Sequence, residues 1–222
     1  FGHPADLDNL MRVANKWNIA VVEDAAESLG SKYKGKHTGT FGVSGALSFN
    51  GNKIITTGGG GMILTNALLG PRAKHLTTTA KIPHQFEYHH DEIGFNYRMP
   101  NLNAAMGCAQ LEQLDKFLTS KRKLAKYYEN FFKNTSMKFV SEPQDCDSNY
   151  WLNAIICESK KQRDHILETT NKLGVMTRPI WSLMHTSKMY RNCLRGDLSN
   201  SDWLAHRIVN LPSSVIKEPR VE

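Results

Sequence analysis

The chain has 222 residues, of which 40% are hydrophobic and 22% charged, and its formal net charge is +7. That balance predicts a globular protein with a hydrophobic core and excludes disordered and collagen-like chains. No apolar stretch approaches the roughly 18 residues of a spanning helix, no secretion signal opens the chain, and the four cysteines form no C-x-x-C pair, so we expect no membrane partner and a cytoplasmic setting.

The first third of the chain predicts a helix followed by short strands. Asp6 to Trp17 places apolar residues at helical spacing, with acidic residues in the first turn, and so predicts an amphipathic helix. The β-branched run 19–22 predicts a buried strand that ends at Glu23 and Asp24. Two further strands and one helix are predicted at 45–50, 62–65 and 71–80. A helix followed closely by strands is typical of an α/β layer architecture.

The rest of the chain contains a long irregular stretch and a second α/β segment. Residues 83–100 match no regular element, and loops of this length inside a compact domain are usually functional or disordered. Helical spacing returns at Asn101 and continues to about Phe132. Beyond Pro143 the pattern predicts strand, helix and strand at 151–157, 163–173 and 175–177.

The change of pattern beyond the long helices predicts a domain boundary near residue 118. Residues 1–118 then form a larger domain, and residues 119–222 a small C-terminal domain. The opening Phe1–Pro4 has no Met and no lead-in to a helix or strand, so we expect the chain to be the later part of a longer one.

The positive charge suggests an anionic partner. The densest basic segment, Lys116 to Lys133, also carries apolar residues at helical spacing, so we interpret it as the solvated face of a helix. No zinc-finger spacing, RNP-type aromatic motif or recognition-helix pattern accompanies it, and we therefore expect no nucleic-acid partner. A phosphorylated small molecule is the other class of anionic partner that the charge suits.

Polar residues follow two of the predicted strands. Asp24 comes directly after the first, and Ser48 ends the next, with Lys53 five residues later and the glycine run 58–61 beyond it. In open α/β sheets, ligands bind at the carboxyl ends of strands. A hydroxyl, a lysine and several glycines together favour a phosphate ligand, although Asp24 taken alone could equally cap the turn that follows it.

Three better-known motifs do not fit. The P-loop pattern fails because Asn52 separates Gly51 from Lys53. The dinucleotide pattern G-x-G-x-x-G fails because Ile63 stands where its last glycine is needed. The nucleophile elbow G-x-S-x-G fails at Ala46. The sequence therefore disfavours a nucleotide triphosphatase, a Rossmann cofactor site and a serine hydrolase.

A lysine in a tight, mostly uncharged loop has the chemistry to form a Schiff base with a carbonyl. Pyridoxal 5'-phosphate (PLP) needs such a lysine, a carboxylate against its pyridine nitrogen and hydrogen-bond donors around its phosphate. Lys53, Asp24 and Ser48 could supply these three roles.

Five ordered segments add a family resemblance to this hypothesis. They are E-D-A-A-E at 23–27, S-F-x-x-x-K at 48–53, T-T-G-G-G-G at 56–61, G-F-N-Y-R-M at 94–99 and Q-L-E at 110–112. Together they resemble the DegT/DnrJ/EryC1/StrS family of PLP-dependent nucleotide-sugar aminotransferases. The tail segments 177–181 and 210–214 are similar to the branch that makes 4-amino-4,6-dideoxy sugars. The resemblance implies an α/β fold: part of the fold-type I PLP-transferase large domain, followed by a small α/β C-terminal domain.

The resemblance also implies roles for residues around the cofactor. Lys53 would hold PLP as a Schiff base and then shuttle a proton between substrate and cofactor. Asp24 would pair with the pyridine nitrogen, and Ala26 would lie against the ring face. Glu27 would approach the ring hydroxyl, where many family members have Gln or His. Ser48 would bind the phosphate.

Further roles concern the partner subunit and the substrate. Asn96 would reach the cofactor phosphate of a neighbouring subunit, which implies a homodimer with a shared active site. Arg178, Trp181 and His185 fall in the segment that lines the sugar-nucleotide cleft of the family.

The function implied is PLP-dependent transamination of a nucleotide-linked keto-deoxy sugar, with L-glutamate as donor, for amino-sugar and surface polysaccharide biosynthesis. The alternative is a non-catalytic or inactive fragment of the family that lacks the N-terminal part of the cofactor site. A dehydratase is disfavoured because those family members replace the Schiff-base lysine by His, and Lys53 is present. We expect no metal site at His89, His90 and Asp91, because adjacent residues of a strand face opposite ways.

Overall fold

Residues 1–216 are described in a computed structural model of the chain, and their elements follow the α/β alternation that the sequence predicts. The helices are α1 Leu7–Lys16, α2 Leu69–Thr77, α3 Asn101–Leu111, α4 Leu114–Phe132, α5 Lys160–Lys172 and α6 Ser199–Ala205. The strands are β1 Val22–Asp24, β2 Lys32–Tyr33, β3 Lys36–His37, β4 Ser44–Ser48, β5 Gly61–Thr65, β6 Lys81–Ile82, β7 His89–His90, β8 Lys138–Phe139, β9 Cys146–Asp147, β10 Asn153–Ile156, β11 Arg178–Pro179 and β12 Ile208–Leu211. Among the described residues, no helix is long and apolar enough to cross a membrane.

The described residues form two compact units. The first unit contains residues 2–118 and 143–149, and the second contains Phe1 and residues 119–142 and 150–216. The sequence predicted an uninterrupted second domain from residue 119 onward. Residues 143–149 depart from this prediction because β9 pairs with β2 of the first unit, and residues 217–222 lie outside the described part of the chain.

The central sheet of the first unit has the order β1, β4, β5. β1 runs parallel to β4 with Asp24 opposite Ala46, and β5 is antiparallel to β4 with Gly61 opposite Ser48. Because parallel strands end at the same edge of a sheet, Asp24 and Ser48 both lie at the carboxyl edge of this one.

The first helix begins where its sequence signals place it. Asp6 is the N-cap, and its side chain accepts a hydrogen bond from the Asn9 backbone N–H at 3.2 Å. Leu7 and Ala14 on the apolar side are buried. The predicted helix from Asp6 to Trp17 is confirmed, since both end residues are caps of the observed one.

The strand predicted over residues 19–22 is confirmed in its end at Glu23 and Asp24, but it begins later than predicted and is not buried. The strand begins at Val22, which is 68% exposed, and Ile19 before it is 61% exposed. Within the described residues β1 pairs on one side only, with β4, so its apolar side chains have no sheet neighbour on the other side. A β-branched run therefore predicted a strand correctly and its burial wrongly.

The region from 81 to 100 is mostly irregular, as predicted, but it contains a short hairpin. β6 and β7 pair antiparallel, with Lys81 opposite His90 and Ile82 opposite His89. The backbone turns before it at Thr79 and Ala80, whose φ values of 67° and 49° lie in the left-handed region.

The second unit is built on an antiparallel sheet of order β11, β12, β10, β8. Its core is formed by the buried residues Phe132, Ile155, Cys157 and Val209. The strand predicted at 175–177 lies instead at Arg178–Pro179, where pairing with β12 sets its position. The predicted strand and helix before it are confirmed as β10 and α5.

Candidate functional site

The loop that carries Lys53 begins at the carboxyl end of β4 and is fixed at both ends. Phe49 is 3% exposed, and its backbone N–H donates to the Gly60 carbonyl at 2.9 Å. Ile54 and Ile55 are also buried, so apolar side chains flank the lysine on both sides in sequence. Burial of these anchors holds the Lys53 backbone in one place.

The far end of this loop is bonded to α3. The Thr56 backbone N–H donates to Gln110 Oε1 at 2.9 Å, and Asn103 Nδ2 donates to the Thr57 carbonyl at 2.5 Å. A side chain at Gly107 would lie against the Thr57 methyl group at 3.0 Å, so the helix and the loop are in close contact. Gln110 belongs to the Q-L-E segment of the sequence resemblance, and this bond gives it a structural role.

Lys53 and Glu27 form an ion pair. Lys53 Nζ donates to Glu27 Oε1, and the two side chains are 12% and 35% exposed. Glu27 lies in the turn after β1, whereas Lys53 lies in the loop after β4. The parallel pairing of the two strands therefore brings together side chains that are 26 residues apart in sequence.

Asp24 and Ser48 occupy the adjacent strand ends. Asp24 is exposed, and its Oδ1 accepts a hydrogen bond from the Ala26 backbone N–H at 3.1 Å. Ser48 is half-buried, and its Oγ accepts from the Asn50 backbone N–H at 3.4 Å, which leaves the hydroxyl proton available for another acceptor. Ala26 is half-buried within the same turn.

The turn after Asp24 is held by a buried side chain from a distant segment. Asn149, which is fully buried, donates from Nδ2 to the carbonyls of Glu27 and Leu29 at 2.8 and 2.9 Å. Its backbone N–H donates to Ser31 Oγ at 3.0 Å, and that hydroxyl donates to the Gly2 carbonyl at 2.6 Å. The backbone that presents Glu27 is thus fixed from residues far away in the chain.

The carboxylate of Glu23, the residue before Asp24, orders the loop of residues 39–42. The Glu23 carboxylate accepts from the backbone N–H groups of Gly39, Phe41 and Gly42 at 2.6, 2.5 and 2.8 Å. A carboxylate with three such donors is well satisfied, which explains a half-buried acid at this position.

Asn96 is exposed and is positioned by a separate set of contacts. It bridges to Thr78 in an isolated antiparallel pair at the end of α2. Its neighbours Phe95 and Tyr97 donate from the backbone to the carbonyls of Leu76 and Thr77 at 2.7 and 2.9 Å. The backbone of 95–97 is therefore tied to the end of a helix while the Asn96 side chain is exposed to solvent.

Ion pairs hold the end of the hairpin against α2. Arg72 Nη2 donates to Glu92 Oε2 at 2.6 Å, and His75 Nε2 lies 2.7 Å from Asp91 Oδ1. The hydrogen bond from His75 lowers the pKa of Asp91, and that from Arg72 lowers the pKa of Glu92. These charges help to fix the segment that precedes Asn96.

The histidines do not form the cluster considered from the sequence. His89 Nε2 lies 2.6 Å from Glu87 Oε2, whereas His90 Nδ1 lies 2.7 Å from the Thr79 carbonyl. Two other groups of metal-ligating type converge: His84 with Glu87 and His89, and His75 with Asp91 and Glu92. In the second group Arg72 already neutralises an acid. The absence of a metal stays a prediction.

Three candidate residues lie in the second unit. Trp181 is 58% exposed and stacks on Trp151, with ring centroids 5.9 Å apart. Arg178 is exposed, and its Nη1 donates to Asn171 Oδ1 at 3.2 Å. His185 is half-buried, with Nε2 3.1 Å from Asp202 Oδ1.

Sequence reasoning missed Asn149 and Asn103. Neither residue lies in a recognisable motif, and each acts through a backbone carbonyl more than 40 residues away. An asparagine in an irregular segment gives no local signal of such a bond. The pairing of Glu27 with Lys53 was also not predicted, because spacing alone does not reveal which strands are neighbours.

Comparison with known proteins gives a consistent result. Residues 1–218 match the model of the DegT/DnrJ/EryC1/StrS aminotransferase family. The chain is 40% identical over 214 residues to the GDP-perosamine synthase of Escherichia coli O157:H7, an alignment that covers 96% of this chain and 58% of that protein. The chain thus spans somewhat more than half the length of this relative.

Solved structures agree on the fold. PseC of Helicobacter pylori, an aminotransferase involved in the biosynthesis of pseudoaminic acid, superposes with a TM-score of 0.90 at 22% identity. That match covers 96% of this chain and 59% of PseC. DesV of S. venezuelae, solved with a ketimine intermediate, gives 0.87 at 25% identity and covers 98% and 59%. The predicted α/β class, part of a fold-type I architecture, is confirmed.

Proposed function

Because the chain belongs to the DegT/DnrJ/EryC1/StrS aminotransferase family, we propose that it carries out PLP-dependent transamination of a nucleotide-linked keto-deoxy sugar. The observation that carries the proposal is the group of Lys53, Asp24 and Ser48 at the carboxyl ends of β1 and β4. Ligands of open α/β sheets bind at this edge.

The donor set at this edge fits PLP. Lys53 supplies an amine in a loop fixed at both ends, and Asp24 supplies an exposed carboxylate for the pyridine nitrogen. Ser48 has a hydroxyl proton available for a phosphate oxygen. Ala26, in the same turn, has a side chain small enough to let a flat ring approach. These chemical types match the needs of the cofactor one for one.

In the proposed reaction each of these residues has a separate task. Bound PLP supplies an electron sink for the carbon that gains or loses the amino group. Lys53 would hold the cofactor through its amine and would carry a proton at Nζ during the reaction. Asp24 keeps the ring nitrogen protonated by placing a negative charge beside it. Ser48 orients the phosphate and thereby the ring.

The substrates follow from the family and from charge. The similarity to a GDP-perosamine synthase supports a GDP-linked keto-deoxy sugar as acceptor. We propose L-glutamate as donor and a place in amino-sugar and surface polysaccharide biosynthesis, as the family resemblance implies. The net charge of +7 suits a diphosphate substrate. Arg178, Trp181 and His185 are the residues that we propose to contact it. We propose a cytoplasmic setting, which suits a nucleotide-sugar substrate.

A homodimer is part of the proposal. Asn96 is exposed and held on a backbone tied to α2, which supports a role toward a neighbouring subunit's cofactor phosphate. Nearby Phe86, Tyr88 and Ile93 are exposed apolar side chains, as expected of a surface that is covered in an assembly.

The test begins with the spectrum of the chain mixed with PLP. A visible band that is present in the wild type and absent in Lys53→Ala supports the cofactor assignment. The matched variant Lys36→Ala, which removes a lysine of β3, should leave the band unchanged. Formation of L-glutamate from GDP-perosamine and 2-oxoglutarate then tests the reaction in reverse. A chain that gives no band and no glutamate contradicts the proposal and favours the inactive-fragment alternative.

A further inference from the structure

The Lys53 amine is paired with a carboxylate inside a partly buried contact. Lys53 is 12% exposed and Glu27 is 35% exposed, so water screens the pair less than it screens an ion pair at the open surface. An adjacent negative charge favours the protonated form of an amine. Glu27 therefore places a negative charge in contact with the Lys53 amine.

An ammonium has no free electron pair and cannot attack an aldehyde. Condensation requires that one proton leaves Nζ first, and Glu27 Oε1 is in hydrogen-bond contact with Nζ. We propose that Glu27 accepts this proton and later returns it. An N–H bond breaks and an O–H bond forms, while the electron pair stays on nitrogen, so that the ion pair becomes a neutral amine and a carboxylic acid.

The carboxylic acid formed in this step is itself a proton donor. When a neutral amine condenses with an aldehyde, the aldehyde oxygen leaves as water and takes up two protons. One comes from the attacking nitrogen and the other must come from an acid, so that the nitrogen of the new C=N bond keeps one proton and carries the positive charge. Glu27 in its acid form is placed beside the reacting nitrogen and can supply that proton, which restores the carboxylate. The charge count is unchanged over the cycle, and no further reactant is needed. This inference rests on the proposed function, in which Lys53 is the residue that meets the aldehyde.

Three other titratable groups near this turn have recorded hydrogen-bond partners other than Lys53. Glu23 accepts from three backbone N–H groups of the 39–42 loop, and Asp24 accepts from Ala26. His37 lies between the Gly30 N–H and the Thr38 carbonyl, at 2.8 and 2.5 Å. Glu27, by contrast, is in direct contact with Nζ through Oε1.

The position of Glu27 is fixed by its backbone. Asn149 binds the Glu27 carbonyl directly and the Leu29 carbonyl two residues later. Thr38 Oγ1 binds the carbonyl of Ser28 between them at 3.1 Å. Proton transfer occurs only at hydrogen-bond distance, so a proton acceptor must be held close to the nitrogen. The bonds to the carbonyls of residues 27–29 hold the backbone from which the Glu27 side chain extends.

The experiment compares two reactions of Lys53 in the wild type and in Glu27→Gln. Trace acetylation with acetic anhydride consumes only neutral amines and needs no proton return. Condensation with PLP, which is trapped by borohydride, needs a neutral amine and also the return of a proton to the departing oxygen. Each is measured by mass spectrometry on the Lys53 peptide, relative to that of the exposed Lys116. At about pH 7.5 we expect acetylation of Lys53 to rise about fivefold in Glu27→Gln, because the ammonium loses its counter-charge. We expect the trapping rate to fall about tenfold, because the proton carrier is gone.

A matched pair controls for the loss of any carboxylate. Asp8 pairs with Lys34 at 2.5 Å on the surface of the same unit. Asp8→Asn should raise acetylation of Lys34 without lowering its condensation, and should leave Lys53 unchanged. If both reactions of Lys53 change in the same direction in Glu27→Gln, or if neither changes, the proton-carrier role is wrong. If acetylation rises as expected but PLP fails to trap Lys53 in the wild type, the proposed function fails while the charge pairing stands.

Discussion

The side-chain oxygen of Asn149 lies 1.9 Å from the position that a Cβ atom on Gly2 would take. Gly2 also has a φ of 87°, which L side chains rarely adopt. Two independent constraints thus require glycine at a position that the sequence shows only as part of the opening segment.

Gly2→Ala should lower the free energy of unfolding by about 3 kcal/mol, because the new methyl group overlaps Asn149 and the backbone is strained. Urea unfolding measures the change. Gly35→Ala is the matched control, since Gly35 has a φ of 77° but no neighbour within 4 Å of the place that a methyl group would take. It should cost about 1 kcal/mol, the conformational part alone. Equal losses in both variants would show that the contact with Asn149 has no energetic weight.

Asn149→Ala should loosen the turn that presents Glu27. The carbonyls of Glu27 and Leu29 lose their donor, and we expect a loss of about 2 kcal/mol in stability. Under conditions where the variant is folded, acetylation of Lys53 should rise toward the level of Glu27→Gln. Asn153→Ala controls for removal of a fully buried asparagine, since its hydrogen bonds go to Ser213 in the second unit. A rise of Lys53 acetylation in that variant as well would mean that destabilisation, not the turn, causes the effect.

Lys121 should give the second unit an unusual dependence on pH. It is 6% exposed and donates to the carbonyls of Trp151 and Ser213, and burial lowers its pKa to about 8 from 10.5. Between those values the unfolded chain binds more protons than the folded one, so the free energy of unfolding should rise with pH there. We expect a gain of about 2 kcal/mol between about pH 7 and pH 10.

The measurement for Lys121 is a series of urea unfolding curves across this range. In Lys121→Met the gain with rising pH should disappear, whereas the exposed Lys123→Met should behave as the wild type. Identical slopes in the wild type and Lys121→Met would contradict the assignment of the pH dependence to this buried amine.

Gly94→Ala should disrupt the segment that carries Asn96. A Cβ at Gly94 would overlap the backbone of Thr79 and Ala80, which cannot move aside as the tip of a side chain could. We expect a loss of about 2 kcal/mol, read from thermal unfolding. Gly70→Ala, within α2, meets only the Thr65 methyl group at 4.0 Å and should be neutral or stabilising. A Gly94→Ala variant as stable as Gly70→Ala would show that this close approach is relaxed in solution.

Local patterns in the sequence predicted the elements well where one segment decides its own structure. The helix after Asp6 depends on apolar spacing and a cap, and both are local. The position of β11 was missed because its partner β12, some 30 residues later, selects which residues pair. The exposure of Val22 was missed for a related reason, since the burial of a strand depends on what packs beside it and not on its own residues alone.

The candidate site was also predictable only where local patterns reveal the ends of strands. Asp24, Ser48 and Lys53 could be grouped from the sequence because each follows a strand, and strand ends of a parallel pair meet. The ion pair of Glu27 with Lys53 and the bond from Asn149 to the turn needed the folded chain, since no spacing rule connects residue 149 to residue 27.

The two anchors of the Lys53 loop limit how its amine can travel. The Phe49 backbone N–H is bonded to the Gly60 carbonyl, and the Thr56 backbone N–H is bonded to the Gln110 side chain. The backbone between these two residues is therefore a short loop that is fixed at both ends. Displacement of the amine from one bonding partner to another must then occur by rotation about the lysine side-chain bonds rather than by loop movement. Nζ can therefore move only as far from the Lys53 α-carbon as the extended side chain allows. Every group that exchanges a proton with Nζ must lie within hydrogen-bond distance of that range.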